Sequence, residues 1–115
     1  MTISQYEIYE FDISKAIKGD EMPENIIHGV IMSPDVMNKV LKTVIVAPLS
    51  NCCALTPTTF LIDENIRIRL DQISSISKKR ITKFIGKIDK SQIPKIKDTL
   101  NEMLIKLINK GSMMI

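Results

Sequence analysis

Apolar and polar positions alternate through "YEIYEFDI", residues 6–13, setting Tyr9, Phe11 and Ile13 on one face of a strand and Glu10 and Asp12 on the other. The next stretch, "SKAIKGDEMPEN", holds Gly19 and Pro23 and carries neither the strand nor the helix period, so it reads as a long, mobile loop of the kind that often serves function. Strand character resumes at "IIHGVIM". "SPDVMNKVL" then offers Ser33 as an N-cap with Pro34 at the first helical position, which predicts a short helix. "TVIVAPLS" is a continuous apolar run ending near a proline, the pattern of a strand buried on both faces whose last residues lie at a sheet edge or bulge.

Beyond the loop "NCCALTPT", the runs "TFLID" and "NIRIRL" are separated by only a few residues around Asp63 and Glu64, which predicts a hairpin. "DQISSIS" and "RITKFIGKI" each add a short strand. Only the C-terminal region has a sustained helical period. Ile93, Ile96, Leu100, Met103, Leu104, Leu107 and Ile108 recur at intervals of three and four, Ser91 is placed to cap the start, and Gly111 stands where such a helix terminates. The order predicts a mostly β fold of α+β type: a small SH3-like or plasmid-toxin barrel of five to seven short strands with one C-terminal α-helix packed on it. The 115 residues, 44% of them hydrophobic, suit a single domain, residues 1–115, with one buried core.

Charge adds a polarity along the chain. The formal net charge is only +3, yet Glu7, Glu10, Asp12, Asp20, Glu21 and Glu24 mark one end as acidic, while Lys78, Lys79, Arg80, Lys83, Lys87 and Lys90 make a later stretch basic. The basic cluster is either a solvated face or a surface that attracts phosphates or an acidic peptide. No apolar run approaches the ~18 to 20 residues of a membrane helix, and the N-terminus carries acidic residues where a signal peptide has basic ones. A soluble, cytoplasmic protein without membrane contact is expected. Cys52 and Cys53 are adjacent and the chain has one histidine, so reduced thiols, no metal and no cofactor are expected.

The string "IRLDQISSI", residues 68–76, is the first that points to chemistry. In an extended strand Arg69 and Asp71 share one face and Ile68, Leu70 and Gln72 the other. Such a pair is either a surface salt bridge worth ~0 to 1 kcal/mol or half of a site that works on a charged substrate.

Four strings in order, "GVIMSPDVMNK", "VIVAPLS", "IRLDQISSISKKRI" and "IGKI", followed by the amphipathic helix, resemble the MazF/PemK/Kid family of bacterial toxins over roughly residues 6–110. The matching positions are Ser33, Pro34 and Asn38; Pro48 and Ser50; Asp71 and Gln72; and Ser75, Ile76, Ser77 and Arg80. The resemblance implies a five-stranded barrel, a homodimer, metal-independent endoribonuclease cleavage of single-stranded RNA, and neutralisation by a cognate antitoxin whose flexible acidic segment lies across the RNA site. It also implies roles. Asp71 would take the proton of the 2′-hydroxyl and Arg69 would stabilise the phosphate; Ser50 stands where the family threonine donates to the phosphate. Arg67, Gln72, Asn51, Lys79 and Arg80 are the accompanying RNA-binding candidates.

The chain departs from the family pattern at Ile27 and His28, where an Arg-Pro pair is usual, and at Gly19-Asp20-Glu21, where Kid-type members carry a histidine. Loss of that guanidinium removes a bidentate phosphate contact. His28 is a further acid–base candidate by virtue of its intrinsic pKa near ~6.5, although a lone histidine at a strand start is commonly structural. Two other classes of function stay open: a catalytically impaired homologue retaining antitoxin binding, and a CcdB-like gyrase poison acting through the apolar C-terminal "KGSMMI".

Overall fold

The acidic–apolar alternation of the N-terminal segment becomes strand β1, Glu7–Asp12, with Tyr9 and Phe11 buried. In this computed structural model the residues described are 2–14, 25–51, 59–62 and 65–106. β2 is Ile26–Ile31, α1 is Asp35–Val40 and β3 is Thr43–Ser50. β4, Thr59–Leu61, and β5, Arg67–Arg69, pair antiparallel as the expected hairpin, closed by Ile62 N donating to Ile66 O at 3.0 Å. β6 is Ser74–Ser77, β7 is Ile81–Lys87 and α2 is Ile93–Leu100.

These seven strands form one sheet in the order β4-β5-β3-β2-β1-β7, with β6 attached to β3 beside that path. The curvature follows from connectivity. Along β6-β3-β2-β1-β7 the outermost strands are β6 and β7, yet they are consecutive in the chain and joined only by a 3₁₀ turn, Lys78–Arg80. The sheet must curl until its ends approach. Arg80 fastens the curl by donating from Nη1 to Asp12 O at 3.1 Å and Ser14 O at 3.0 Å, at the far end of β1.

β3 is the hub of this arrangement and explains its continuous apolar run. Val44 and Val46 point into the curl with Ile3, Tyr9, Phe11 and Ile31, whereas Ala47 joins Val30, Met32, Ile68, Leu70, Ile88 and Ile96 beneath α2. Both faces are therefore buried. On one edge β3 pairs with β6 at Thr43–Val46 and then with β5 at Leu49–Ser50. Pro48, which has no N–H to donate, falls in the gap between those two partners. The strand runs on through Pro48 to Ser50, so the proline does not end it. Across from Pro48, Gly29 on β2 sits where a Cβ would run into Val46 Cγ1.

Two capping expectations are corrected. Pro34, not Ser33, occupies the N-cap of α1, and no side chain caps it. Ser33 is instead buried: its Oγ donates to Asn38 Oδ1 at 2.5 Å and accepts from Ile45 N at 3.1 Å, while Asn38 Nδ2 donates to Ser33 O at 2.9 Å. The Ser-Pro and Asn positions thus tie α1 to β3. Ser91 likewise does not cap α2, because a 3₁₀ turn, Lys90–Gln92, precedes the helix and Ser91 Oγ donates to Asp89 Oδ2 at 2.6 Å. Ile96 of α2 is fully buried, and Ile93, Leu100 and Met103 pack on the same core. After Leu100 the chain widens into a π-helical stretch, Asn101–Lys106. Gly111, the C-terminal tail, the Cys52–Cys53 pair and the Gly19-Asp20-Glu21 segment lie outside the described residues. Among the described residues no helix is long and apolar enough to cross a membrane.

Candidate active site

β5 is three residues long and alternates cation, apolar, cation. Ile68 is fully buried in the core under α2, so Arg67 and Arg69 project from the opposite face of the sheet. The register supplies their neighbours. Arg67 is directly across from Ser50 on β3 and from Leu61 on β4, and Arg69 is across from Thr59. Residues directly opposite in an antiparallel pair share a face, so Ser50, Arg67 and Arg69 stand together. Extending the Gly29–Pro48 register by two residues sets Ile27 level with Ser50 in the same row.

The strand stops at Arg69, where the sequence pattern predicts extension through Asp71. Leu70–Gln72 is a 3₁₀ turn that buries Leu70 and leaves Asp71 and Gln72 exposed. The pair forms nonetheless: Arg69 Nε donates to Asp71 Oδ1 at 3.2 Å and Nη2 to Oδ2 at 3.1 Å. This hydrogen-bonded guanidinium holds the Asp71 carboxyl below the usual carboxylate value, and the hydrogen bonds to Asp71 raise that of Arg69 in turn. With side chains about one-third exposed, 31% and 33%, the pair is screened by solvent. Arg67 differs from its neighbour. Its Nη1 is buried and has no hydrogen-bond partner among the described residues.

His28 and Asn51 belong to the other face. His28 is two residues from Val30, which is buried under α2, and it is paired with Glu10 on β1. Its Nε2 lies 3.6 Å from Glu10 Oε1. Glu10 also accepts from Thr82 Oγ1 at 2.7 Å and is opposite Lys83 on β7. That hydroxyl, then Lys83 and His28, holds the Glu10 carboxyl below its ordinary value. Beside this cluster, Ile26, Ile27, His28, Leu49, Asn51 and Ile66 line an open groove of about 310 Å³.

The predicted residues therefore divide. Ser50, Arg67, Arg69 and Asp71 gather on and beside one strand face, with exposed Gln72 adjacent in the chain. His28 and Asn51 line the groove on the other side. Arg80 is committed to the carbonyls of β1, and Lys79 is exposed on the β6–β7 turn. Sequence reasoning missed Glu10 and Thr82 as partners around His28, and Thr59 as the neighbour of Arg69. Strand parity marks Glu10 as outward-facing, but its meeting with His28 depends on a β1–β2 register that no local pattern encodes. Among the described residues no group of three or more His, Cys, Asp or Glu side chains is placed to hold a metal ion.

Comparison with known proteins decides the family. The model of the PemK-like, MazF-like toxins of type II toxin–antitoxin systems matches residues 4–104. The chain belongs to this toxin family. No curated protein matches it at a significant level. Solved structures share the fold at low identity. An endoribonuclease of a Mycobacterial species in complex with its cognate antitoxin superposes with a TM-score of 0.75 at 16% identity, covering 89% of this chain and 94% of the other. MazE-MazF (Form-II) from Deinococcus radiodurans gives 0.76 at 10% identity, over 90% and 96% of the two chains. Mycobacterium tuberculosis toxin MazF-mt6 gives 0.68 at 17% identity, over 84% and 93%. The toxin thus has the barrel with a C-terminal helix that its strand order predicts.

Proposed function

We propose that this toxin is a metal-independent endoribonuclease, one domain spanning residues 1–115, that cuts single-stranded RNA on the Ser50–Arg67–Arg69–Asp71 face. The family match over residues 4–104 carries the reading, and the two cations of β5 beside a hydroxyl and a carboxylate support it. The chemistry needs a base to take the 2′-hydroxyl proton, a donor set to stabilise the phosphorane charge as the 2′-oxygen attacks phosphorus, and a departing 5′-oxygen that regains a proton. The products are a 2′,3′-cyclic phosphate and a 5′-hydroxyl. Asp71 is the base on this face. Its clamp with Arg69 makes it a weak base in the free protein, so RNA must exclude water from the site to strengthen it.

The protein acts in the cytoplasm as a homodimer. Val36, Val40 and Leu41 in and after α1, with Phe84 and Ile85 on β7, leave large apolar side chains 40–75% exposed, and such surface marks interfaces. Its cognate antitoxin carries a flexible acidic segment attracted to β5 and to the exposed lysines of β7. The Mycobacterial endoribonuclease solved in complex with its cognate antitoxin, and the Deinococcus MazE-MazF structure, support that partner.

Incubation of purified protein with a labelled RNA pool in EDTA tests the activity. Cleavage ending in cyclic phosphate supports it. Intact RNA favours the second reading, an antitoxin-binding module without activity, to which the locked Arg69–Asp71 pair lends its support. The family match favours both over a gyrase poison.

A further inference from the structure

The two guanidiniums of β5 share a face but differ in what they hold. Arg69 spends Nε and Nη2 on the two oxygens of Asp71, whereas Arg67 Nη1 is buried without an acceptor among the described residues. A guanidinium has only donors, and a buried donor on a charged group is costly to leave unpaired. Such an atom in a folded protein calls for an explanation, and a bound ion or ligand oxygen is one that also uses the charge.

The surroundings define that acceptor. Arg67 lies directly across from Ser50, one strand spacing of about 5 Å away. Ile27, level with Ser50 on β2, brings no charge to the row, and neither ion pair found among the described residues involves Arg67. Asp71 is bound to Arg69, two residues further along the same face. An anion taken by Arg67 would therefore sit beside Ser50 and next to the base.

We propose that Arg67 is the phosphate-holding cation of this site, its half-buried guanidinium turning to donate to the non-bridging oxygens of an RNA phosphodiester, and that Arg69 is a positioning residue for Asp71. This division of labour rests on the ribonuclease reading of the same face. A phosphodiester suits the orphan donor because the planar guanidinium matches two phosphate oxygens at once. The reacting bond then falls between Arg67 and Asp71.

The test uses a 2′-O-methyl oligoribonucleotide, which binds and cannot be cleaved. Affinity is measured across a salt series for the full-length wild type, Arg67→Met, Arg67→Lys and Arg69→Met, with thermal melts of each. Arg67→Met is expected to bind ~10-fold more weakly and to flatten the slope of log K against log salt by about 0.7, the value of one phosphate contact on a single strand. Its melting temperature without RNA should stay level or rise, because a buried unpaired charge is gone. Arg67→Lys should keep the slope and still bind several-fold more weakly, since the fork is lost. Arg69→Met should leave the slope unchanged.

A wild-type slope and affinity in Arg67→Met, or in Arg67→Lys should Arg67→Met not fold, overturns the proposal. So does a lowered melting temperature with unchanged binding, which would make Arg67 a structural cation. Cleavage of unmodified RNA in EDTA separates the two readings. Wild type that cleaves while Arg67→Met binds normally overturns the assignment and leaves the ribonuclease intact; wild type that binds through Arg67 but never cleaves supports the assignment and overturns the ribonuclease.

Discussion

Arg69 grips both carboxylate oxygens of Asp71 at 3.2 and 3.1 Å, although a 3₁₀ turn has already replaced the strand at Leu70. The turn brings the carboxylate back to the cation, so local backbone geometry does what strand parity alone would have done.

A pH dependence follows from this clamp. The Asp71 carboxyl is held below its ordinary value by the Arg69 hydrogen bonds. Ionised Asp71 is therefore present throughout neutral pH and is lost only below the usual carboxylate range near ~3.9. Its contribution to stability has the same sign: present above the unfolded value, and lost as the pH falls through the depressed folded value. Arg69→Ala should move the Asp71 titration upward. Carbon-detected NMR titration of the aspartates checks this, and an unmoved Asp71 in that variant would refute it.

The His28 cluster yields a second expectation. Thr82 Oγ1 donates to Glu10 Oε2 at 2.7 Å and is the main cause of the lowered Glu10 value. Thr82→Val should raise the Glu10 titration while leaving Asp71 where it is, because the two carboxylates lie on opposite faces of the sheet. The same NMR experiment, extended to the glutamates, reads both.

Gly29 predicts a packing effect. A methyl group there meets Val46 Cγ1 inside the curl and comes within 3.4 Å of Phe11 Cε1. Gly29→Ala should cost ~1 to 3 kcal/mol by overpacking. Urea denaturation monitored by circular dichroism measures it, and a variant as stable as wild type would show that Val46 moves aside freely.

Asn38 is 3% exposed, and its side chain bonds to both the Ser33 hydroxyl and the Ser33 carbonyl. Asn38→Leu strands those groups and should cost ~1 to 3 kcal/mol, with little direct effect on catalysis because the network lies outside the Ser50–Arg69 face. A stable variant that loses activity would contradict the structural role assigned here.

Much of this was legible in the chain. The alternation in "YEIYEFDI" gave the faces of β1 correctly, with Tyr9 and Phe11 buried, and the short span around Asp63 and Glu64 located the β4–β5 hairpin. The unbroken apolar run of β3 foretold burial on both faces. What stayed hidden was non-local. Ser33 looks like a helix cap until β3 supplies Ile45 N as its donor, and Ser91 looks like one until Asp89 is seen to accept its hydroxyl. The basic run 78–90 reads as one patch, yet Arg80 is spent on carbonyls sixty-six and sixty-eight residues away. The separation of His28 from Ser50 by the thickness of the sheet needs the register across β2, β3 and β5, which side-chain periodicity within one strand does not contain.

On the proposed reading RNA is cleaved on the Ser50–Arg67–Arg69–Asp71 face, with His28 at most assisting from the opposite side. Single-turnover cleavage of a labelled single-stranded RNA in EDTA by wild type, Asp71→Asn and His28→Ala tests it most directly. Cleavage by wild type is expected, with a loss of ~10²- to 10³-fold in Asp71→Asn, RNA binding intact or tighter in that variant, and only a small change in His28→Ala. Wild-type rates in Asp71→Asn together with an inactive His28→Ala would move the reaction to the groove beside Glu10 and reduce Arg69–Asp71 to an ordinary surface ion pair.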